Sequence, residues 1–176
     1  MVATKYVITA AHCFIDEDEH GIITYVHKAS EIDVEIGEDN IILDDKEEDK
    51  PLPTIRRKVR KLTFHKNHTT KVGEKSTGHS DLAILMLSSE VDIEKYTPAC
   101  LARKIDELSF YNKKAWVAGW GVYEQPIVDI DGNTKSLPHH FPDQVHEARI
   151  RVRKCLHGHP SLLCGQHERK STCLVR

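Results

Sequence analysis

Two ionisable residues stand at the ends of apolar runs, where a strand could hold them in place. His12 follows KYVITAA and precedes Cys13 and Phe14 (KYVITAAHCF, residues 5–14), and Asp81 precedes the apolar run LAILML at residues 82–87. An imidazole can take a proton from a nucleophile and return it to a leaving group near neutral pH. A carboxylate beside it can accept its Nδ1–H, fix the tautomer and stabilise the imidazolium. Either residue alone is more often structural. The order of segments is what sets them apart: a strand ending in TAAHC, then GEDNI at residues 37–41, then Ser80-Asp81 and an apolar strand, then VAGWG at residues 117–121.

The elements around these residues are short. EIDVEIGE alternates Ile32, Val34 and Ile36 with Glu31, Asp33 and Glu35, the period of a half-buried strand. TIRRKVRKLTFH sets Ile55, Val59 and Leu62 among cations and predicts a twisted strand near a sheet edge. DLAILML is a continuous apolar run and predicts a strand buried on both faces. KKAWVAGWGV and HEARIRVRKC predict two further strands, and Asp131-Gly132 marks a turn within QPIVDIDGNTKSLP. Many short strands separated by turns predict an all-β fold, sandwich or barrel.

Composition narrows the function. The chain has 176 residues, 39% hydrophobic and 30% charged, enough apolar material for one domain or two small ones. Lys and Arg total 25 against 27 Asp and Glu, a net charge of −2, so no global field recruits nucleic acid or an anionic membrane. No apolar run approaches the roughly 20 residues of a membrane span, and YVITAA is shorter than the core of an export signal. Five cysteines lie spread out without Cys-x-x-Cys pairs, which suits scattered disulfides in an oxidising compartment. The odd count leaves either a free thiol or a partner outside the chain.

With these motifs in order, the chain resembles the trypsin-like (chymotrypsin-fold) serine proteases. VITAAHC resembles the histidine box, DLAILML the aspartate box, GEDNI the start of a calcium loop, VAGWG the start of the second barrel, and LLCG followed by STC the approach to the serine box. The resemblance implies two antiparallel Greek-key β-barrels, both incomplete here. The partial first barrel is expected over residues 1–103, a linker over 104–112, and the partial second barrel over 113–176. It implies His12 as general base and then general acid, and Asp81 as its orienting carboxylate. It also implies secretion, protein or peptide substrates, and no required cofactor beyond a structural calcium ion. Nucleic acid and membranes are not expected partners, and oligomeric state is not readable.

The pattern breaks at both ends. The family's serine box reads Cys-x-Gly-Asp-Ser-Gly-Gly-Pro, whereas Cys173 is followed by Leu174, Val175 and Arg176. Val175 stands at the position of an oxyanion-hole glycine and Arg176 at that of an aspartate, with the serine due next. The Ile-Val-Gly-Gly-like start and the first strands are expected upstream of Met1. The expectation is therefore a fragment of a serine endopeptidase, itself inactive, with a non-catalytic homologue acting as a binding module as the alternative. By the same resemblance Cys13 pairs upstream of Met1, Cys173 pairs beyond Arg176, Cys100 pairs with a propeptide, and Cys155 pairs with Cys164.

Further residues follow from the resemblance. Ser171 falls at the base of the primary specificity pocket, where a serine favours a large apolar or aromatic substrate side chain. Glu38, Asn40, Leu43 and Glu48 fall at the spacings of a calcium loop that uses two glutamates and two backbone carbonyls. Two other patterns carry less. Cys155, His157, His159, Cys164 and His167 are zinc-type ligands at no common spacing, and IRRKVRK reads as the exposed face of a strand. Asn67-His68-Thr69 is a glycosylation sequon that matters only on export.

Overall fold

Alternation along the chain decides which faces turn inward. The computed structural model describes residues 1–38, 52–101, 110–121, 126–128, 134–136, 144–154 and 163–166. These fall into two compact units, one made of the described residues up to 101 and one of those from 110 onward. The first holds β1 (Tyr6–Thr9), β2 (Ile15–Glu17), β3 (Ile23–Val26), β4 (Asp33–Ile36), β5 (Ile55–Phe64) and β6 (Ala83–Leu87). The second holds β7 (Lys114–Gly119), β8 (Pro126–Val128), β9 (Thr134–Ser136), β10 (His146–Lys154) and β11 (Leu163–Gln166). Every strand pairing is antiparallel, so the all-β expectation holds.

In the first unit the strands run β1-β6-β5-β4 across one sheet, with β2 and β3 forming a separate hairpin. Val34 and Ile36 turn inward on β4 while Asp33 and Glu35 face out. Their cross-strand partners on β5 are Lys58 and Arg56. Lys58 lies 2.8 Å from Asp33, and Arg56 forms an ion pair with Glu35. Both pairs are exposed, so solvent screens them and they add little to stability.

One expectation about this sheet holds and one is corrected. β5 lies near the edge, beside the outer strand β4: its first part pairs with β4 and its second with β6. A register shift between Val59 and Lys61 lets one strand serve both neighbours. The bulge leaves Arg60 and Lys61 consecutively exposed and returns Leu62 and Phe64 to the inner side. That is why the cations interrupt the apolar period. β6 is not buried on both faces. Ala83, Leu85 and Leu87 are inward and buried, whereas Ile84 is 39% exposed. Among the described residues the sheet packs a core on one side only, as antiparallel sheets can.

That core joins Ala11, Phe14, Val59, Leu85, Leu87, Val91 and Tyr96. The hairpin β2–β3 was not anticipated. Its turn is held by Asp18, whose Oδ1 accepts the N–H groups of His20 and Ile22 at 2.9 and 2.8 Å, with Gly21 at φ +73°. Asp-x-x-Gly is the signal that could have revealed it.

Gly37, at the end of β4, has φ +86°, and a Cβ there would lie 3.1 Å from Tyr96 Cε1 and 3.2 Å from the Pro53 carbonyl oxygen. The Tyr96 hydroxyl donates to that same oxygen at 2.6 Å, so neither neighbour can give way cheaply. Gly37→Ala should therefore cost more than the ~1–2 kcal/mol of a left-handed conformation alone, read as a lowered urea midpoint. A shift within error would show that the turn relaxes freely.

In the second unit β10 lies between β7 and β11, and β8 pairs with β9. Asn112 (φ +63°) accepts from Arg153 Nη1 at 2.6 Å through Oδ1 and from Arg151 Nη1 at 3.1 Å through its carbonyl. Arg149 sits 5.9 Å above the Trp116 ring, its cross-strand partner. Asp131 and Gly132 lie outside the described residues, between the paired β8 and β9. Residues 104–109 of the expected linker lie outside them too.

Candidate active site

His12 and Asp81 are 69 residues apart in sequence, and one strand pairing brings them together. β1 and β6 are antiparallel with Thr9 opposite Ala83. The residues that follow β1 and those that precede β6 therefore emerge at the same end of the sheet. His12 opens a single 3-10 turn, His12–Phe14. Ala11 is fully buried and Phe14 nearly so. Spaced three apart, they share one face of the turn and fasten it to the core. The His12 side chain is left outward, 67% exposed.

The Asp81 carboxylate accepts two hydrogen bonds from His12: the backbone N–H at 2.8 Å on Oδ1, and ring Nδ1 at 2.6 Å on Oδ2. The Ala11 backbone N–H also favours the charged carboxylate. An ionised carboxylate only accepts, so Nδ1 carries a proton; in the neutral imidazole Nε2 then keeps its lone pair. Partial burial works against the charged carboxylate. The His12 ring and the two backbone N–H groups outweigh that burial and hold the Asp81 pKa below the ordinary carboxylate value. The ring is thus fixed at Nδ1, and Nε2 on the exposed side is met by the Cys13 thiol alone among the described residues. That is the arrangement a general base needs. The Cys13 Sγ lies 3.8 Å from Nε2.

A family model described as Trypsin matches residues 1–153. The chain belongs to the trypsin family. No curated protein matches it. Membership makes it a protein of the serine protease type, and its antiparallel sheets are in line with partial trypsin-like β-barrels.

The other residues singled out by the resemblance fare differently. Glu38 is half-buried, and its Oε2 accepts the Thr54 hydroxyl at 3.0 Å. Asn40, Leu43, Glu48, Cys155 and Ser171 lie outside the described residues, and of Cys164 only its strand position, opposite Arg153 on β10, is described. His157, His159 and His167 of the zinc-type pattern also lie outside. Among the described residues no three His, Cys, Asp or Glu converge on a metal position, and Cys13 and Cys100 form no disulfide.

Sequence reasoning missed one polar network in the same unit. The Tyr25 hydroxyl donates to Glu31 Oε1 at 2.7 Å, and Glu31 Oε2 accepts the Lys28 N–H at 2.8 Å. The Lys28 backbone and then the Tyr25 hydroxyl lower the Glu31 pKa. His27 stands between Asp16 (3.3 Å) and Glu31 (3.7 Å).

Asp81 and Glu31 give the fold a defined acid sensitivity. Both pKa values are lowered on folding. Their stabilisation is therefore fully present above the unfolded-state values of about 4, and it is lost as pH falls through the lower folded values. The melting temperature should drop between about pH 5 and pH 3, and less steeply in Asp81→Asn. An unchanged slope in that variant would show that Asp81 titrates alike in both states.

Proposed function

We propose that residues 1–176 carry the base and the orienting carboxylate of a serine endopeptidase. The observation that carries this reading is the 2.6 Å contact between His12 Nδ1 and Asp81 Oδ2 in a chain of the trypsin family. His12 Nε2 takes the proton of a serine hydroxyl as that oxygen attacks a peptide carbonyl. It then returns the proton to the leaving amine as the C–N bond breaks. Water follows the same path in reverse to release the acid. Asp81 keeps the ring in the tautomer that can do this and stabilises the imidazolium between the two transfers.

The nucleophile is not among the positions that this reading assigns within residues 1–176. The polypeptide of these residues alone is therefore proposed not to hydrolyse peptide bonds. Protein or peptide substrates, and export to an oxidising compartment, belong to the same reading. Ser171 as the pocket base and a Cys155–Cys164 disulfide follow from the family likeness. The deciding experiment reads the transcript outward from the codons for residues 9–13 and 171–173. A Gly-Asp-Ser-Gly frame after Cys173, with an export leader upstream, supports the proposal. A frame without that serine leaves the non-catalytic binding module.

A structural calcium ion is also proposed at Glu38, Asn40, Leu43 and Glu48. Two carboxylates with backbone carbonyls form a hard oxygen donor set that fits calcium. Glu38 starts that loop half-buried and braced by Thr54. Millimolar calcium should raise the melting temperature, with EDTA reversing the rise and Glu38→Gln abolishing it. Equal melting with and without the ion rejects the site.

A further inference from the structure

The connection from β5 to β6 ends in Asp81, and a buried histidine lies within it. His68 is 8% exposed, the one buried polar side chain among the described residues. Its Nδ1 lies 2.8 Å from the carbonyl oxygen of His79, two residues before Asp81. That oxygen only accepts, so the proton is on Nδ1. The ring stacks on Phe64 with centroids 6.2 Å apart and planes 15° from parallel. Nε2 is buried and has no hydrogen-bond partner among the described residues. A polar ring buried at the expense of one unsatisfied atom is best explained by what its other nitrogen does.

What it holds is a turn that L-residues seldom adopt. Ser80 has φ +52° and Gly78 φ +63°. The Leu82 N–H bonds back to the Ser80 carbonyl at 2.7 Å, and the Leu82 carbonyl accepts the His65 N–H at 2.8 Å. The His68 N–H closes a turn on the His65 carbonyl at 2.9 Å. A left-handed serine persists only where its surroundings over-determine it. Asp81 is thus fastened on one side by Leu82 and the start of β6. On the other side it is fastened by the His79 carbonyl in the grip of His68.

We propose that His68 is a positioning residue for the His12–Asp81 pair: the N–H it donates to the His79 carbonyl keeps Ser80 in the left-handed turn that aims Asp81 at the His12 ring. The catalytic meaning of this device rests on the endopeptidase reading above, but its geometry does not.

The test uses the 176-residue chain and needs no hydrolysis. Nitrogen-15 NMR of the parent chain reads the His68 tautomer, which must be Nδ1–H; an Nε2–H tautomer overturns the proposal without any variant. His68→Phe keeps the stack on Phe64 and removes the donor, whereas His68→Gln restores an N–H. The hydrogen-bonded Nδ1 proton of His12 should vanish from the spectrum of a folded His68→Phe chain and return in His68→Gln. A resonance intact in His68→Phe overturns the proposal, and so does one lost equally in both variants, which would make the ring a packing element only. In the assembled endopeptidase the same substitution should lower kcat roughly ten- to hundredfold at unchanged KM. A complete absence of hydrolysis in every form would remove the endopeptidase reading and leave the NMR result standing.

Discussion

Asp81→Asn should move the proton on His12 from Nδ1 to Nε2. In the parent chain both carboxylate oxygens accept, one from the His12 backbone N–H at 2.8 Å and one from ring Nδ1 at 2.6 Å. An asparagine has a single acceptor oxygen and an NH2 group. The backbone donor is fixed by the buried Ala11 and Phe14 on either side of it, so the amide oxygen turns toward the backbone. The NH2 then faces Nδ1 and can bond only to its lone pair. The ring proton must sit on Nε2, where the base should have been. For the assembled endopeptidase, a wrong tautomer of this kind costs on the order of 10⁴ in kcat. Nitrogen-15 chemical shifts of His12 report the swap directly in the 176-residue chain. A retained Nδ1–H tautomer would mean that the amide is flipped and that Asp81 governs charge rather than geometry.

The largest stability effect is expected inside β6. Leu87 is 1% exposed, opposite Val59 and in the same cluster as Leu85 and Val91. Leu87→Ala removes buried methyl groups and leaves a cavity that a sheet paired on both sides of β6 cannot collapse. The cost should be about 2–5 kcal/mol, a large part of a domain stability of about 5–15 kcal/mol. Ile84→Ala, three residues earlier on the same strand, is the control. Ile84 faces outward at 39% exposure, and its truncation should cost well under half as much. Urea midpoints of the two variants decide the matter. Equal losses would mean that something covers the outer face of β6, as the unbroken apolar run in the sequence implied.

That comparison also shows what the sequence carried and what it could not. The strand at β4 was legible because Val34 and Ile36 alternate with charge, and the structure buries that alternation as written. β6 was legible as a strand but not as a face, because Ile84 and Leu85 look alike to any hydrophobicity pattern. Which of them meets the core depends on β1 and β5 arriving from elsewhere. The bulge in β5 was invisible for a similar reason. Two consecutive cations at Arg60 and Lys61 break the period without saying which residue is extra. His12 and Asp81 were legible as a pair only through motif order. The spacing of 69 residues holds no geometric information until the Thr9–Ala83 register is known. His68 left no signal at all, since nothing local distinguishes a buried imidazole from its exposed neighbours in a loop of His, Lys, Asn and Thr.

The place of β1 in its sheet bears on how the paired residues come apart. β1 is four residues long and bonds to β6 alone among the described strands. β6 is held on its other side by β5. Terminal strands fray at a free energy below that of global unfolding. Peeling β1 from β6 and drawing Ala11 and Phe14 out of the core carries His12 away from Asp81 while β4, β5 and β6 stay joined. The working geometry therefore has its own melting threshold, set by the four β1–β6 residue pairs and the seats of those two side chains. Amide exchange at Val7 and Ile8, rather than the bulk denaturation midpoint, measures how often the molecule is disarmed.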